Sequence, residues 1–193
     1  MRIYFVRHGQ TIFNQRRLLQ GWCDSPLSED GINQAKGVIP YFRDIDIKAI
    51  YSSISLRALD TAEIIGDSKN LKVEASRLLR EMHFGNKEGL PLPENHLELY
   101  YLGYKDAGGE INEETGQRIM DFVLNIYEKH LNDEIIIVSH AWAIRSFLRL
   151  IDKKRLDDYF DNNGKCPNCS LSIVDYDGDR FIIEEVFKDI LNT

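Results

Sequence analysis

The chain has 193 residues, 43% of them hydrophobic and 28% charged, the balance of an ordinary water-soluble fold and unlike that of a disordered or fibrous chain. Lys and Arg number 24 against 31 Asp and Glu, a net charge of −7. Such a surface repels polyanions, so a nucleic-acid partner is not expected, and an anionic ligand must be drawn in by a local cluster of cations.

The first apolar run, Ile3-Tyr4-Phe5-Val6, is short, continuous and rich in β-branched and aromatic residues, as in a strand buried on both faces. It leads straight into Arg7-His8-Gly9-Gln10-Thr11, which places a cation and an imidazole at a strand end. A guanidinium takes two phosphate oxygens at once, and a neutral imidazole nitrogen can attack phosphorus. Gly9 is expected to let a phosphoryl group approach the backbone closely. Next comes a helix with Ser28 as N-cap, Glu29 and Asp30 in its first turn, and Ile32, Ala35 and Ile39 along the inward face. Pro40 is expected to kink or end it.

A second buried strand, Ala49-Ile50-Tyr51, runs into Ser52-Ser53. The helix over 56–65 turns Ala58, Ala62 and Ile65 toward the core, while Arg57 and Thr61 share another face. Arg57 opposes the helix dipole there, which favours an anionic partner. Residues 85–112 form a candidate cap: Leu90-Pro91-Leu92-Pro93, Leu97, Leu99, Tyr100, Tyr101, Leu102 and Tyr104 suit either a packed helix or a lid over a site. The periodicity predicts a helix from near Asn112, with Ile119, Phe122, Val123, Ile126 and Tyr127 on one stripe. His130 continues that stripe in a packing role.

The third strand, Ile135-Ile136-Ile137-Val138, ends at Ser139-His140, and a helix carrying Ile144, Phe147, Leu148 and Ile151 follows. Alternation around Asp177-Gly178 then signals a hairpin. This succession predicts an α/β fold, a three-layer sandwich with a largely parallel central sheet flanked by helices, in one domain over 1–193. No segment reaches the length of a membrane span and the apolar start is too short for a signal peptide, so no membrane partner and a cytoplasmic location are expected. The three cysteines are too few for a disulfide scaffold. Cys166-Pro167-Asn168-Cys169 lacks the second pair a structural zinc site needs, so neither metal nor cofactor is expected.

In an open α/β sheet ligands bind beyond the carboxyl ends of the strands. That rule brings Arg7-His8, Ser52-Ser53 with Arg57, and Ser139-His140 to one place, where two Arg and two His meet a small phosphate monoester.

The segments Arg7-His8-Gly9-Gln10-Thr11-Ile12-Phe13-Asn14, Gly21-Trp22-Cys23-Asp24-Ser25-Pro26-Leu27-Ser28, Ser52-Ser53 with Arg57-Ala58, Glu81 before Phe84-Gly85 and Glu88-Gly89, and Val138-Ser139-His140 resemble the histidine phosphatase superfamily, also called phosphoglycerate-mutase-like. The resemblance implies that His8 attacks phosphorus to form phosphohistidine, that Arg7, Arg57 and His140 bind the phosphoryl oxygens, and that Glu81 is the general acid, with Glu88 its rival. Asn14 implies a supporting contact to the phosphate, and Gln20, Gly21 and Thr11 fall on the substrate side. Ala141 stands where the family usually has Gly, and its methyl group is expected to narrow the pocket or to strain a positive-φ conformation. His83 and His96 match no family role.

Between Glu81 and His140 the chain has four Lys or Arg against eleven Asp or Glu, an acidic wall for a second phosphate. This favours a phosphatase; the alternatives are mutase-type phosphotransfer and a non-catalytic phospho-ligand-binding domain.

Overall fold

The computed structural model describes residues 1–94, 103–162 and 164–191. Strands β1 (Arg2–Arg7), β2 (Ile47–Ser53), β3 (Val73–Ser76), β4 (Glu134–Ser139), β5 (Leu171–Tyr176) and β6 (Phe181–Lys188) form one sheet in the order β3-β2-β4-β1-β5-β6. The first four in that order run parallel, and β5 and β6 are antiparallel additions beside β1. The hairpin joining them turns at Gly178, whose φ of +104° suits a residue without a Cβ.

Helices α2 (Glu29–Phe42) and α3 (Leu56–Lys69) cover one face of the sheet, and α4 (Asn112–Tyr127), α5 (Ala141–Ile151) and α6 (Lys153–Asp161) the other; a single turn, α1 (Ile12–Gln15), follows β1. Side chains alternate along each strand, so Tyr4, Val6, Ile136 and Val138 pack on Ala35, Val38, Ala58 and Ala62. Ile3, Phe5, Ile135 and Ile137 pack on Ile119, Val123, Ile144 and Phe147. The expected three layers are therefore present.

Two local expectations are corrected. Pro40 lies inside α2, which runs two residues further to Phe42. The buried face of α2 is Gly31, Ala35, Val38 and Phe42, while Ile32 is 38% exposed; the small Gly31 lets the helix come closest to the loop after β1, which rotates that stripe inward. Strand β3 was not anticipated, because Val-Glu-Ala-Ser at a sheet edge carries one large apolar residue and little alternation.

The register aligns the strand ends. Arg7 sits opposite Ser139 in the β1–β4 pair, and Ser52 opposite Val138 in the β2–β4 pair. Residues following β1, β2 and β4 therefore emerge side by side at one edge. The candidate cap is described only at its ends, with short 3-10 turns over Gly85–Lys87 and Lys105–Ala107; His96, Leu97, Leu99, Tyr100, Tyr101 and Leu102 lie outside the described residues. Among the described residues no helix is long and apolar enough to cross a membrane.

Candidate active site

The backbone of His8 is fixed from several sides. Its N–H donates to Ser139 O at 3.0 Å, its carbonyl accepts from Asn168 Nδ2 at 3.0 Å, and the neighbouring Gly9 N–H donates to Thr61 Oγ1 at 3.0 Å. The Nδ1 atom lies 2.7 Å from Gly9 O, which can only accept, so Nδ1 carries the hydrogen and Nε2 keeps its lone pair. Burial, then the positive charges of Arg57 and Arg7, push the His8 pKa well below its usual 6.5 and keep the ring neutral. Gly9 has a different reason from the one expected: a Cβ there would lie 2.4 Å from Gly31 O, so its absence lets β1's exit loop pack against α2.

Arg57 is fully buried. Its Nε–H donates to His140 Nδ1 at 3.2 Å, and its remaining donors reach Cys23 O, Asp24 Oδ1, Gln20 O and Gly21 O at 2.8 to 3.4 Å. A guanidinium has five N–H groups, and protein acceptors take all five. In this arrangement Arg57 clamps the loop over 20–24 and orients His140. Because His140 Nδ1 accepts, its Nε2 carries the hydrogen; that atom is buried without a hydrogen-bond partner. Burial and the charge of Arg57 hold its pKa well below 6.5. The His140 and His8 ring centroids are 5.1 Å apart.

Among the other buried polar atoms without a hydrogen-bond partner are Arg7 Nε and Gln20 Nε2. The Arg7 Nη1 group donates to Cys166 O, and Gln20 Oε1 accepts from Thr11 Oγ1 at 2.7 Å, so each side chain is held with a donor left over. Buried polar atoms in native proteins are almost always paired, and each orphan costs roughly 1–3 kcal/mol. Arg7 and Gln20 share a cavity wall with the neutral His8 imidazole, so their spare donors suit an anion bound there.

Glu81 is 5% exposed. Its Oε1 accepts from Met82 N at 2.9 Å and Ala143 N at 2.8 Å, and its Oε2 from Trp142 N at 3.2 Å. Burial raises its pKa above the usual 4.5, against the pull of these amides and of Arg57. Its backbone carbonyl is held by Trp22 Nε1 at 3.0 Å and Arg118 Nη2 at 3.1 Å. Glu88 is spent otherwise. It accepts from the backbone N–H groups of Trp22, Cys23 and Phe84, stapling the loop over 20–24 to the segment after Glu81.

Arg7, His8, Asn14, Gln20, Glu81 and Ala141 line a cavity of about 950 Å³. Asn14 Oδ1 accepts from Thr11 N at 3.1 Å and Asn168 Nδ2 at 3.3 Å. Arg57, His140, Thr11 and Gly21 are absent from that wall and stand behind it: Thr11 caps α1, and Gly21 packs where a Cβ would lie 2.5 Å from Met82 O. Ala141 is the first residue of α5 and is not among the residues with positive φ, so its methyl group narrows the cavity without straining the backbone. His83 is absent from the wall; it stacks on Trp22 with centroids 4.3 Å apart. Cys166 lines the cavity and Cys169 is buried, both as free thiols that burial pushes up to about 12. His130 is buried as expected, bonded to Tyr51 Oη at 2.9 Å and Asp133 Oδ2 at 2.8 Å.

The expected acidic wall is also corrected. None of the described acidic residues between Glu81 and His140 lines the cavity; Glu98 lies outside the described residues. Arg17, Arg145 and Lys165 do line it, and sequence reasoning missed them. Arg145 had a legible signal, a charge inside an apolar helix, Ala141–Ile151; Lys165, in a loop, had none.

A sequence model of the histidine phosphatase superfamily (branch 1) matches residues 3–189. The chain is 33% identical over 185 residues to the probable phosphoglycerate mutase GpmB of Yersinia pestis, covering 91% of this chain and 85% of that protein. It is also similar to the solved structures of YhfR from Bacillus stearothermophilus (28% identity, TM-score 0.87, covering 97% of both chains) and of a phosphoglycerate mutase from Bacillus anthracis (27%, TM-score 0.86, covering 97% of this chain and 93% of that one).

Proposed function

The chain belongs to the histidine phosphatase superfamily, and from that premise we propose that it hydrolyses small phosphate monoesters through a phosphohistidine on His8. The observation that carries this reading is the pair of orphaned donors on the cavity wall, Arg7 Nε and Gln20 Nε2, with His8, whose Nε2 lone pair is available, on the same wall and the His140 ring, its Nε2 unpartnered, 5.1 Å behind it. The Nε2 lone pair forms the bond to phosphorus as the bond to the ester oxygen breaks, and the departing oxygen takes a proton from Glu81. Of the two Glu81 oxygens, Oε2 has the single, longer amide contact, which favours it as the atom that carries this proton. The same carboxylate then takes a proton from the water that attacks phosphohistidine, releasing phosphate and restoring neutral His8. The donors act on charge that grows in the transition state, where one preorganised donor is worth about 10²–10³ in rate.

Water access supports hydrolysis over transfer. The cavity of about 950 Å³ is at the upper end of small-molecule sites. Arg17, Asp161 and Lys165 on its wall are exposed, so a small substrate leaves room for water. Mutase-type transfer is the second reading, favoured by the cationic wall and by the names of the relatives. Phosphate release from a panel of phosphorylated metabolites, measured beside 3- to 2-phosphoglycerate interconversion with a bisphosphoglycerate primer, tests the two. Release is expected to exceed interconversion and to vanish in His8→Ala; interconversion much faster than release overturns hydrolysis in favour of transfer.

A further inference from the structure

The stretch Cys166-Pro167-Asn168-Cys169 carries paired thiols, yet the bonds it makes to the exit of β1 come from its backbone and from the Asn168 amide. Arg7 Nη1 donates to Cys166 O, and Cys169 N donates to Arg7 O at 3.0 Å. Asn168, 160 residues beyond His8 in the chain, donates through Nδ2 to His8 O at 3.0 Å and to Asn14 Oδ1 at 3.3 Å. One short segment before β5 thus grips Arg7, the nucleophile and Asn14 together.

We propose that Asn168 is a positioning residue for phosphoryl transfer, holding the backbone of His8 and turning Asn14 so that Asn14 Nδ2 faces the phosphoryl group. The proposal rests on the reading of His8 as the nucleophile.

Counting hydrogens separates positioning from direct contact. An amide nitrogen carries two, and His8 O and Asn14 Oδ1 take both. Asn168 therefore lines the cavity with no donor left for an anion there. Asn14 is the reverse case. Its side-chain oxygen is identified by two donors that converge on it, Thr11 N at 3.1 Å and Asn168 Nδ2, so the other end of the amide is the nitrogen. Asn14 is also on the cavity wall, where that nitrogen suits a phosphoryl oxygen. An acceptor in place of Asn168 Nδ2 would favour the opposite turn of the Asn14 amide, with its oxygen toward the anion.

Backbone strain marks the same segment. Ser170 N donates to Pro167 O at 3.2 Å, and Cys169, at the third position of this turn, has a φ of 59°, which is disfavoured for a residue with a Cβ. Burial of the Cys169 side chain and the bond from its N–H to Arg7 O hold it there. The turn is thereby fixed against β1, and Asn168 with it.

A double-mutant cycle with Asn14 tests the proposal, read first by binding of orthovanadate, which stands in for the phosphoryl group and needs no turnover. Asn168→Ala is expected to weaken that binding about fivefold or more in the wild type and less than about twofold in Asn14→Ala, because residues of one hydrogen-bond network do not add. A general loosening of the site would give the same loss in both backgrounds. Turnover is the second readout. Asn168→Ala also frees the carbonyl of His8, so kcat on an aryl phosphate is expected to fall about tenfold in both backgrounds, the scale of a displacement under 1 Å. Asn168 is part-exposed in a turn, so the variant is expected to fold, which melting curves check; Asn168→Ser takes its place in the cycle should it not. A wild type inert on the aryl phosphate sinks the phosphatase reading and leaves the positioning decided by the binding cycle. Equal losses of orthovanadate affinity in both backgrounds, no loss in either, an unchanged kcat, or a wild type that binds no orthovanadate overturns the positioning role.

Discussion

At the scale of single residues the site depends on two groups pushed in opposite directions by the same burial. His8 is held neutral, its pKa well below 6.5, and the pKa of Glu81 is pushed above its usual 4.5. The acid limb of kcat/KM therefore follows His8 and the alkaline limb follows Glu81. Glu81→Gln cannot donate a proton, so it should slow alkyl phosphates much more than aryl phosphates, whose phenoxide leaves with less help. It should also remove the alkaline limb for the aryl substrate. Equal losses on both substrate classes would take the acid role away from Glu81. The choice between Glu81 and Glu88 is not legible from their types, since both are glutamates near aromatic residues. Only their partners separate them: Glu88 is consumed by the backbone of the loop over 20–24, whereas Glu81 stands at the N-terminus of α5 on the cavity wall.

At the scale of elements, the loop over 20–24 is an example of a segment with no regular structure that is fixed by one side chain. Arg57 binds three of its carbonyls and the Asp24 carboxylate from the first turn of α3. This explains why an arginine opposes the helix dipole there: its charge is satisfied by tertiary partners beyond the helix end. Arg57→Ala should lower activity at least about a hundredfold, because Gln20 and His140 both lose their positions. It should also cost about 3 kcal/mol of stability, the low end for breaking a buried ion pair since Asp24 is 28% exposed. At this chain length that is a fall in Tm of roughly 6–12 °C. Lost activity with an unchanged Tm would instead return Arg57 to direct phosphate contact.

At the scale of the whole molecule, burying two neutral histidines ties stability to pH. The pKa values of His8 and His140 fall below 6.5 on folding, so their contribution is complete above that value. It is lost as pH falls toward the lowered values, by up to about 1.4 kcal/mol per pH unit for each. Glu81 acts in the other sense, its raised pKa adding stability as pH falls toward 4.5. Two groups outweigh one, so Tm should fall between pH 7 and pH 5; a flat or rising Tm over that range would mean that the imidazoles are not buried neutral. The sequence by itself determined the layers, the parallel strands and the meeting of Arg7, His8, Arg57 and His140. Those follow from periodicity, connection rules and strand ends, all of which are local or topological. Which donors face the cavity was decided only by tertiary structure, as were the hold of Arg57 on the loop over 20–24 and the arrival of Arg17, Arg145 and Lys165 from segments far apart in the chain. Hydrogen-bond capacity is shared out among groups that meet only on folding, so a residue's type states what it can bind and its folded neighbours decide what it has left to bind with.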